Sequence, residues 1–211
     1  MIPETVTELK SHPLISRNLA ILRDKHSSNS IFRDAVKKLS YFLFYESSRA
    51  LKTTSISVET PLIETTGIQF NQHIWLCPIC RAGLGMLEPG LDLFPDASVG
   101  MIGLYRDEET FEPQFYYEKL PASFSETDFC FLIDPMLATG GSIDASLALM
   151  IKRGAKNITL LTLISAPEGL KLLTHKYPDV RIVTTSIDER LNNNNYILPG
   201  LGDAGDRFFN T

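Results

Sequence analysis

Apolar residues recur at helical spacing in two stretches near the start of the chain. Leu14, Ile15, Leu19 and Leu22 form the first, and Phe32, Val36, Leu39 and Leu43 form the second, after the polar segment Ser27-Ser28-Asn29-Ser30. These predict two amphipathic helices. The period then shortens to two: residues 55–60 alternate as a half-exposed strand that Pro61 ends. Residues 73–77 read as a buried strand running into a loop at Cys80-Arg81-Ala82-Gly83, and residues 98–105 as another strand. The run Arg106-Asp107-Glu108-Glu109-Thr110 is too charged for a core and leads to residues 114–118, which predicts a mobile hairpin. Further on, Phe129-Cys130-Phe131-Leu132-Ile133 reads as a strand and residues 142–153 as an amphipathic helix. Residues 158–164 form another strand, a helix follows Pro167, and residues 180–184 form a last strand. Strands apolar on both faces and alternating with helices predict an α/β fold, a parallel central sheet flanked by helices. Residues 192–195 are only a short polar spacer, and no internal repeat is visible.

Composition narrows the picture. With 211 residues, 44% hydrophobic content and no compositional break, residues 1–211 are expected to form one domain around one substantial core. A net charge of −5 without a long Lys/Arg cluster predicts no nucleic acid and no membrane as partner, so any anionic ligand must be held locally. Three cysteines fit a reducing compartment better than a disulfide framework. The opening residues carry no apolar stretch of signal-peptide type, so a cytoplasmic protein is expected, or one of an organelle stroma such as the plastid's.

The chemistry is expected in Asp134-Pro135-Met136-Leu137-Ala138-Thr139-Gly140-Gly141-Ser142, which joins a strand to a helix. Gly140 and Gly141 let the backbone curl close to a ligand, Thr139 and Ser142 add hydroxyls, and the helix start favours an anion. Asp134 would repel a phosphate and suits sugar hydroxyls or a magnesium shell beside it. A plain strand-to-helix turn with Ser142 as N-cap is the alternative. Neither a triphosphate P-loop nor a dinucleotide fingerprint occurs in the chain. Arg81, Arg106 and the Asp134 loop all follow strands, so a parallel sheet brings them to one crevice. The Cys77-x-x-Cys80 pair has no zinc partners in the pattern, and two packed thiols are favoured over a redox pair. Residues 196–207, with three glycines and two aspartates, are expected as a shaped loop that cannot be a regular helix, tied down by burial of Phe208 and Phe209.

An acid at a strand end followed by Ala138-Thr139-Gly140-Gly141-Ser142 resembles the phosphoribosyl-diphosphate motif of the type I phosphoribosyltransferases. The full wording from Asp134 to Ser142 resembles the uracil phosphoribosyltransferase branch. Three more segments agree: Pro78-Ile79-Cys80-Arg81-Ala82-Gly83, Gly103-Leu104-Tyr105-Arg106-Asp107-Glu108-Glu109-Thr110, and the C-terminal loop. Together they extend the resemblance from His12 to Thr211. It implies transfer of a phosphoribosyl group from phosphoribosyl diphosphate (PRPP) to uracil, giving UMP and diphosphate. It implies a type I phosphoribosyltransferase-like sheet with a flexible hood hairpin near residues 104–121 and a uracil loop near 196–207.

Carried over, Arg81 binds diphosphate and Arg106 closes over it from the hood. Asp134 orients the ribose hydroxyls, Pro135, Met136 and Leu137 continue the motif, and Ala138 to Ser142 hold the 5′-phosphate. Ile197 and the backbone of Gly202, Asp203 and Ala204 meet uracil, while Asp203 also touches PRPP or its magnesium. Magnesium (Mg2+) is implied as the cofactor, arriving with PRPP and without protein ligands of its own. A strained or cis peptide is implied at Cys80-Arg81. GTP is an effector in some members, and a homodimer or higher homo-oligomer is implied. The proton acceptor for uracil N1 is unassigned. The family usually has aliphatic residues where Cys77 and Cys80 stand, and residues 40–51 are unusually aromatic. Two rivals stand beside this reading. Purine-specific relatives usually carry two adjacent acids where this chain has Asp134-Pro135, and an RNA-binding regulator of the same fold would need a basic face.

Overall fold

The computed structural model describes residues 3–106 and 113–211, the side chains of Arg106 and Pro113 excepted. The charged run expected in the hood, Asp107, Glu108, Glu109 and Thr110, lies outside the described residues. In chain order the elements are β1 (Val6–Glu8), α1 (Pro13–Arg23), α2 (Asn29–Ser47), β2 (Thr53–Glu59), β3 (Glu64–Phe70), β4 (Ile74–Cys80), α3 (Leu87–Leu93), β5 (Ser98–Val99), β6 (Met101–Arg106) and β7 (Pro113–Lys119). There follow β8 (Phe129–Ile133), β9 (Met136–Leu137), α4 (Gly141–Lys152), β10 (Asn157–Ser165), α5 (Pro167–Lys176), β11 (Arg181–Ile187), β12 (Arg190–Leu191), β13 (Ile197–Leu198) and α6 (Ala204–Phe209).

The central sheet runs β1-β11-β10-β8-β4-β6-β7, parallel throughout except for the antiparallel pair β6/β7, with β5 and β9 as short additions beside β4 and β10. Alternation along the strands divides the apolar residues between two cores. Phe129, Phe131 and Ile133 of β8 pack with Leu19, Leu22, Phe32, Leu39 and Phe44 of α1 and α2. Cys130 and Leu132 of the same strand pack on the other face with Ile143, Leu147 and Met150 of α4 and Leu170 and Leu173 of α5. The expected two-sided parallel sheet is therefore present, and burial on both faces is why its strands read as unbroken apolar runs.

Several boundaries differ from the sequence reading. The strand expected at residues 98–105 is broken at Gly100, whose N–H donates to the Leu76 carbonyl at 2.9 Å and so leaves β5 and β6 as separate pairings with β4. The strand starting near residue 73 continues to Cys80, because Ile79 and Cys80 pair with Ile102 and Gly103. The half-exposed strand at residues 55–60 joins no sheet partner in the core. It forms a two-stranded arm with β3, a strand not expected from the pattern, and the Thr60 hydroxyl and N–H both bond the Ile63 carbonyl at the arm's tip. Residues 204–209 are helical, which corrects the expectation that the C-terminal segment holds no regular helix. The Asp203 carboxylate accepts the Asp206 N–H at 2.9 Å and caps the turn that starts at Ala204. Among the described residues no helix is long and apolar enough to cross a membrane.

Candidate active site

Strand order changes direction between β4 and β8: from β4 the sheet continues to β6, and from β8 it continues to β10 and β11. Such a switch opens a crevice at the carboxyl ends of the two strands. Arg81 leaves one of them and Asp134 the other. The turn after β4 lies hard against the end of β8, since a Cβ on Gly83 would stand 2.4 Å from the Ile133 carbonyl oxygen. The Cys80-Arg81 peptide is cis, as the resemblance implied.

The segment after β8 is stitched to β10. The Pro135 carbonyl accepts the N–H groups of Leu163 and Ile164 at 3.0 and 3.1 Å, and the Leu137 carbonyl accepts that of Ala166 at 2.7 Å. The Leu137 side chain is buried in the core beneath α4 and α5, and Pro135 is buried as well. Pro135 and Leu137 therefore brace the loop from below. Ala138, Thr139, Gly141 and Ser142 remain half-buried at its outer side. Gly140 is the N-cap of α4, at φ +89°, with no side-chain cap bond, so Ser142 is inside the helix and the plain Ser-cap alternative does not hold. A Cβ on Gly169 would meet the Ala138 carbonyl at 2.4 Å, so the first turn of α5 presses on the same loop.

Asp134 is half-buried at the end of β8. Burial pushes its carboxyl up to about 7, opposed by the Met136 N–H that donates to Oδ1 at 3.3 Å. A nearby cation or a pair of sugar hydroxyls would favour the ionised form. Among the described residues no group of three or more His, Cys, Asp or Glu side chains is gathered to hold a metal ion.

The exposed Arg81 guanidinium stands 3.4 Å from Asp206 and 5.9 Å from the Phe209 ring centroid, so it bridges the β4 turn to α6. An exposed pair of this length contributes little and is easily exchanged for a stronger anion. Arg106 ends β6, the strand next to β4, with its backbone in register with Pro113. Asp203 is exposed and its carboxylate caps α6, while Gly202 is exposed at φ +83° and Ala204 is buried.

Ile197 is buried, its side chain in the core beneath α1 and α2. Its backbone is differently placed. The Asn192 N–H donates to the Tyr196 carbonyl at 2.8 Å, which makes the adjacent Leu191/Ile197 pair a non-bonded one and turns the Ile197 N–H and carbonyl away from β12. A Cβ on Gly205 would stand 3.8 Å from that of Ala82, so the C-terminal loop lies beside the Arg81 turn, which itself abuts the end of β8.

Phe208 and Phe209 are half-buried rather than fully buried, with Phe208 packed against the core beneath α1 and α2 and its ring close over Gly85. Guanidinium groups hold the loop as well. Arg207 donates to the carbonyls of Leu22, Leu201 and Asp24 and lies over the Phe32 ring, and Arg33 donates to the Phe208 carbonyl at 2.6 Å. Arg23 pairs with Asp188 and reaches the Gly200 carbonyl at 2.8 Å. None of these residues carries a local motif, and apart from Leu201, six positions from Arg207, their partners lie more than 150 positions away, so pattern reading missed them. The thiols are free: Cys77 and Cys130 are buried and Cys80 is half-buried, and burial pushes Cys77 up to about 12. Two hollows, of about 500 Å³ between the end of β3 and residues 93–97 and about 630 Å³ on the outer side of α1 and α2, are lined by none of the expected site residues.

A family model described as uracil phosphoribosyltransferase matches residues 9–211. A uracil phosphoribosyltransferase of Clostridium perfringens is 48% identical over 207 residues, covering 98% of this chain and 98% of the relative. One of Campylobacter concisus is 46% identical over 204 residues, 97% of this chain and 98% of the relative. A solved protein of Aquifex aeolicus superposes with a TM-score of 0.89 at 38% identity, covering 97% of each chain. A hypoxanthine-guanine phosphoribosyltransferase of Bacillus anthracis, at 8% identity, TM-score 0.51, and 76% and 80% coverage, shares the fold alone.

Proposed function

The chain belongs to the uracil phosphoribosyltransferase family, and on that premise we propose how its residues divide the work. The enzyme is a pentosyltransferase that moves the phosphoribosyl group of PRPP to uracil, giving UMP and diphosphate. The observation that carries the assignment of roles is the joining of three segments at one strand-order switch: the Arg81 turn, the loop from Asp134 to Ser142, and the C-terminal base loop.

In this reading the amides at the start of α4 and the hydroxyls of Thr139 and Ser142 hold the 5′-phosphate, with Gly140 keeping the approach clear. Asp134 takes the ribose hydroxyls. Charge develops on the ribose ring and on the departing diphosphate, so catalysis comes from positioning and from cations at the leaving group. Arg81 exchanges its long contact with Asp206 for the diphosphate, and Arg106 approaches from the hood near residues 104–121. Magnesium brought in by PRPP would neutralise diphosphate charge, and Asp134 and Asp203 are the carboxylates that would share it. The backbone of Ile197 and of Gly202, Asp203 and Ala204 faces uracil, whose two carbonyls and N3–H ask for such a pattern.

Self-association into a homo-oligomer is supported by the β2/β3 arm, where Leu62 is 90% and Ile63 is 72% exposed. The decisive assay incubates the enzyme with magnesium, PRPP and each nucleobase in turn and looks for the mononucleotide. UMP from uracil alone is the expected result, and turnover of a purine base would overturn the reading. Adding GTP to the same assay tests it as an effector, and assaying cytosolic and organellar fractions tests the expected compartment.

A further inference from the structure

Asp188 follows β11 and its side chain is 1% exposed, yet it carries a charge. Burial by itself would raise its carboxyl. The Arg23 guanidinium and the Gly200 N–H outweigh that and hold it below the ordinary carboxylate range. The contacts form a closed set. One Arg23 terminal nitrogen donates to Asp188 Oδ2 at 2.7 Å and to the Gly200 carbonyl at 2.8 Å, and the other donates to Asp188 Oδ1 at 2.5 Å and to Ser186 Oγ at 3.2 Å. The Gly200 N–H returns to Asp188 Oδ2 at 2.9 Å, and Ser186 Oγ donates to Asp188 Oδ1 at 3.0 Å. Both backbone groups of a single buried glycine are thus held by one ion pair that joins the end of α1 to the end of β11. That glycine sits at φ +65° between Ile197 and Gly202, where a Cβ would meet the Ile197 carbonyl at 2.1 Å.

We infer that Arg23 and Asp188 are positioning residues for base selection: by gripping Gly200 at both its N–H and its carbonyl, they fix the direction in which the backbone of the base loop faces uracil. The inference rests on the reading that residues 197–204 receive the base. Backbone recognition discriminates only as far as the backbone is held, because a loop free to tilt can present a donor where an acceptor stood. Fully satisfied buried networks have that rigidity, and a bidentate guanidinium fixes orientation as well as distance.

Arg23→Lys is the test. Lysine keeps the charge but, as a point donor, cannot span both carboxylate oxygens, Ser186 and the Gly200 carbonyl together. The expected result is a rise of about tenfold in KM for uracil and a fall of about tenfold in the uracil-to-cytosine ratio of kcat/KM, the size of a lost charge-assisted hydrogen bond. KM for PRPP stays within about twofold because the α4 end of the crevice is untouched. A purely structural pair would instead lower the amount of folded enzyme, reducing apparent kcat with both KM values and the base ratio unchanged, and that result overturns the inference. Where Arg23→Lys does not fold, Ser186→Ala loosens the same carboxylate more gently and is read in the same way. A wild type that uses cytosine as well as uracil sinks the assignment of the loop itself; a selective wild type with an equally selective variant sinks only the role of Arg23 and Asp188.

Discussion

Asp134→Asn is expected to make the protein more stable above neutral pH while weakening its response to PRPP. The carboxyl titrates near 3.8 when unfolded and near 7 when folded, so the folded state binds the extra proton between those values. The contribution of this one group to stability is therefore fully present below pH 4, falls as pH rises through the interval, and levels off above 7, and comparison with the variant isolates it from the other carboxylates. At about 1.4 kcal/mol for each pH unit crossed, the bound is about 4 kcal/mol, and the half-buried side chain with solvent on one side reduces it to about 2. Asparagine resembles the protonated acid in shape, still accepts the Met136 N–H, and has no charge to desolvate. The two proteins should unfold alike in urea at pH 4 and diverge by about 2 kcal/mol at pH 8, with the variant the more stable. Saturating magnesium and PRPP should then stabilise the wild type more than the variant, since the ribose hydroxyls or the shared cation need the carboxylate. A constant difference between the two proteins across pH 4 to 8 would refute the burial argument, and equal stabilisation of both by PRPP would refute the ribose role.

Gly140→Val places a β-branched side chain at φ +89° and 3.2 Å from Leu172, at a cost of about 1–2 kcal/mol in stability, and should abolish turnover; a soluble variant with near-normal activity would remove this loop from the mechanism. Arg106→Ala should lower kcat by about 10²-fold with a smaller change in KM for uracil, because a lid cation acts as charge develops on diphosphate, and a pure loss of uracil affinity would contradict that role. Wild type should favour uracil over cytosine by a factor on the order of 10⁴, since mispairing leaves buried polar groups unsatisfied. Gly202→Pro, which forces φ from +83° to about −65°, should erode that ratio more than truncating the buried Ile197 side chain does, and the opposite ranking would move recognition from backbone to side chains.

Locally encoded features were legible in the sequence because they depend on residues a few positions apart. The 3.6-residue period placed α1 and α2, the apolar runs placed β8 and β10, and the sequence from Asp134 to Ser142 carried its own strand-to-helix turn. The resemblance added roles to Arg81 and to the C-terminal loop, and it anticipated the cis peptide at Cys80-Arg81. Several details depended on partners that the pattern does not name. The arm strand β3 has no apolar core face to announce it, and α6 needed the Asp203 carboxylate turned onto the Asp206 N–H.

Only the tertiary structure decided how the pieces meet. Parallel strand order put the ends of β4 and β8 side by side, with Gly83 against Ile133, which turned two separate loops into one crevice. It also buried Asp134 enough to move its titration to neutrality, although nothing about an aspartate in sequence predicts that environment. Arg23 and Asp188 stand 165 residues apart, and the Gly200 they hold is 177 from Arg23. Helical periodicity shows only that Arg23 ends an amphipathic helix. What it grips depends on the packing of that helix over the sheet, which sets distance and direction across the whole chain. For this protein, sequence determined the alternation of elements and the turn from Asp134 to Ser142, while packing determined which charged groups are buried, which are exposed, and which grip Gly200 in the C-terminal loop.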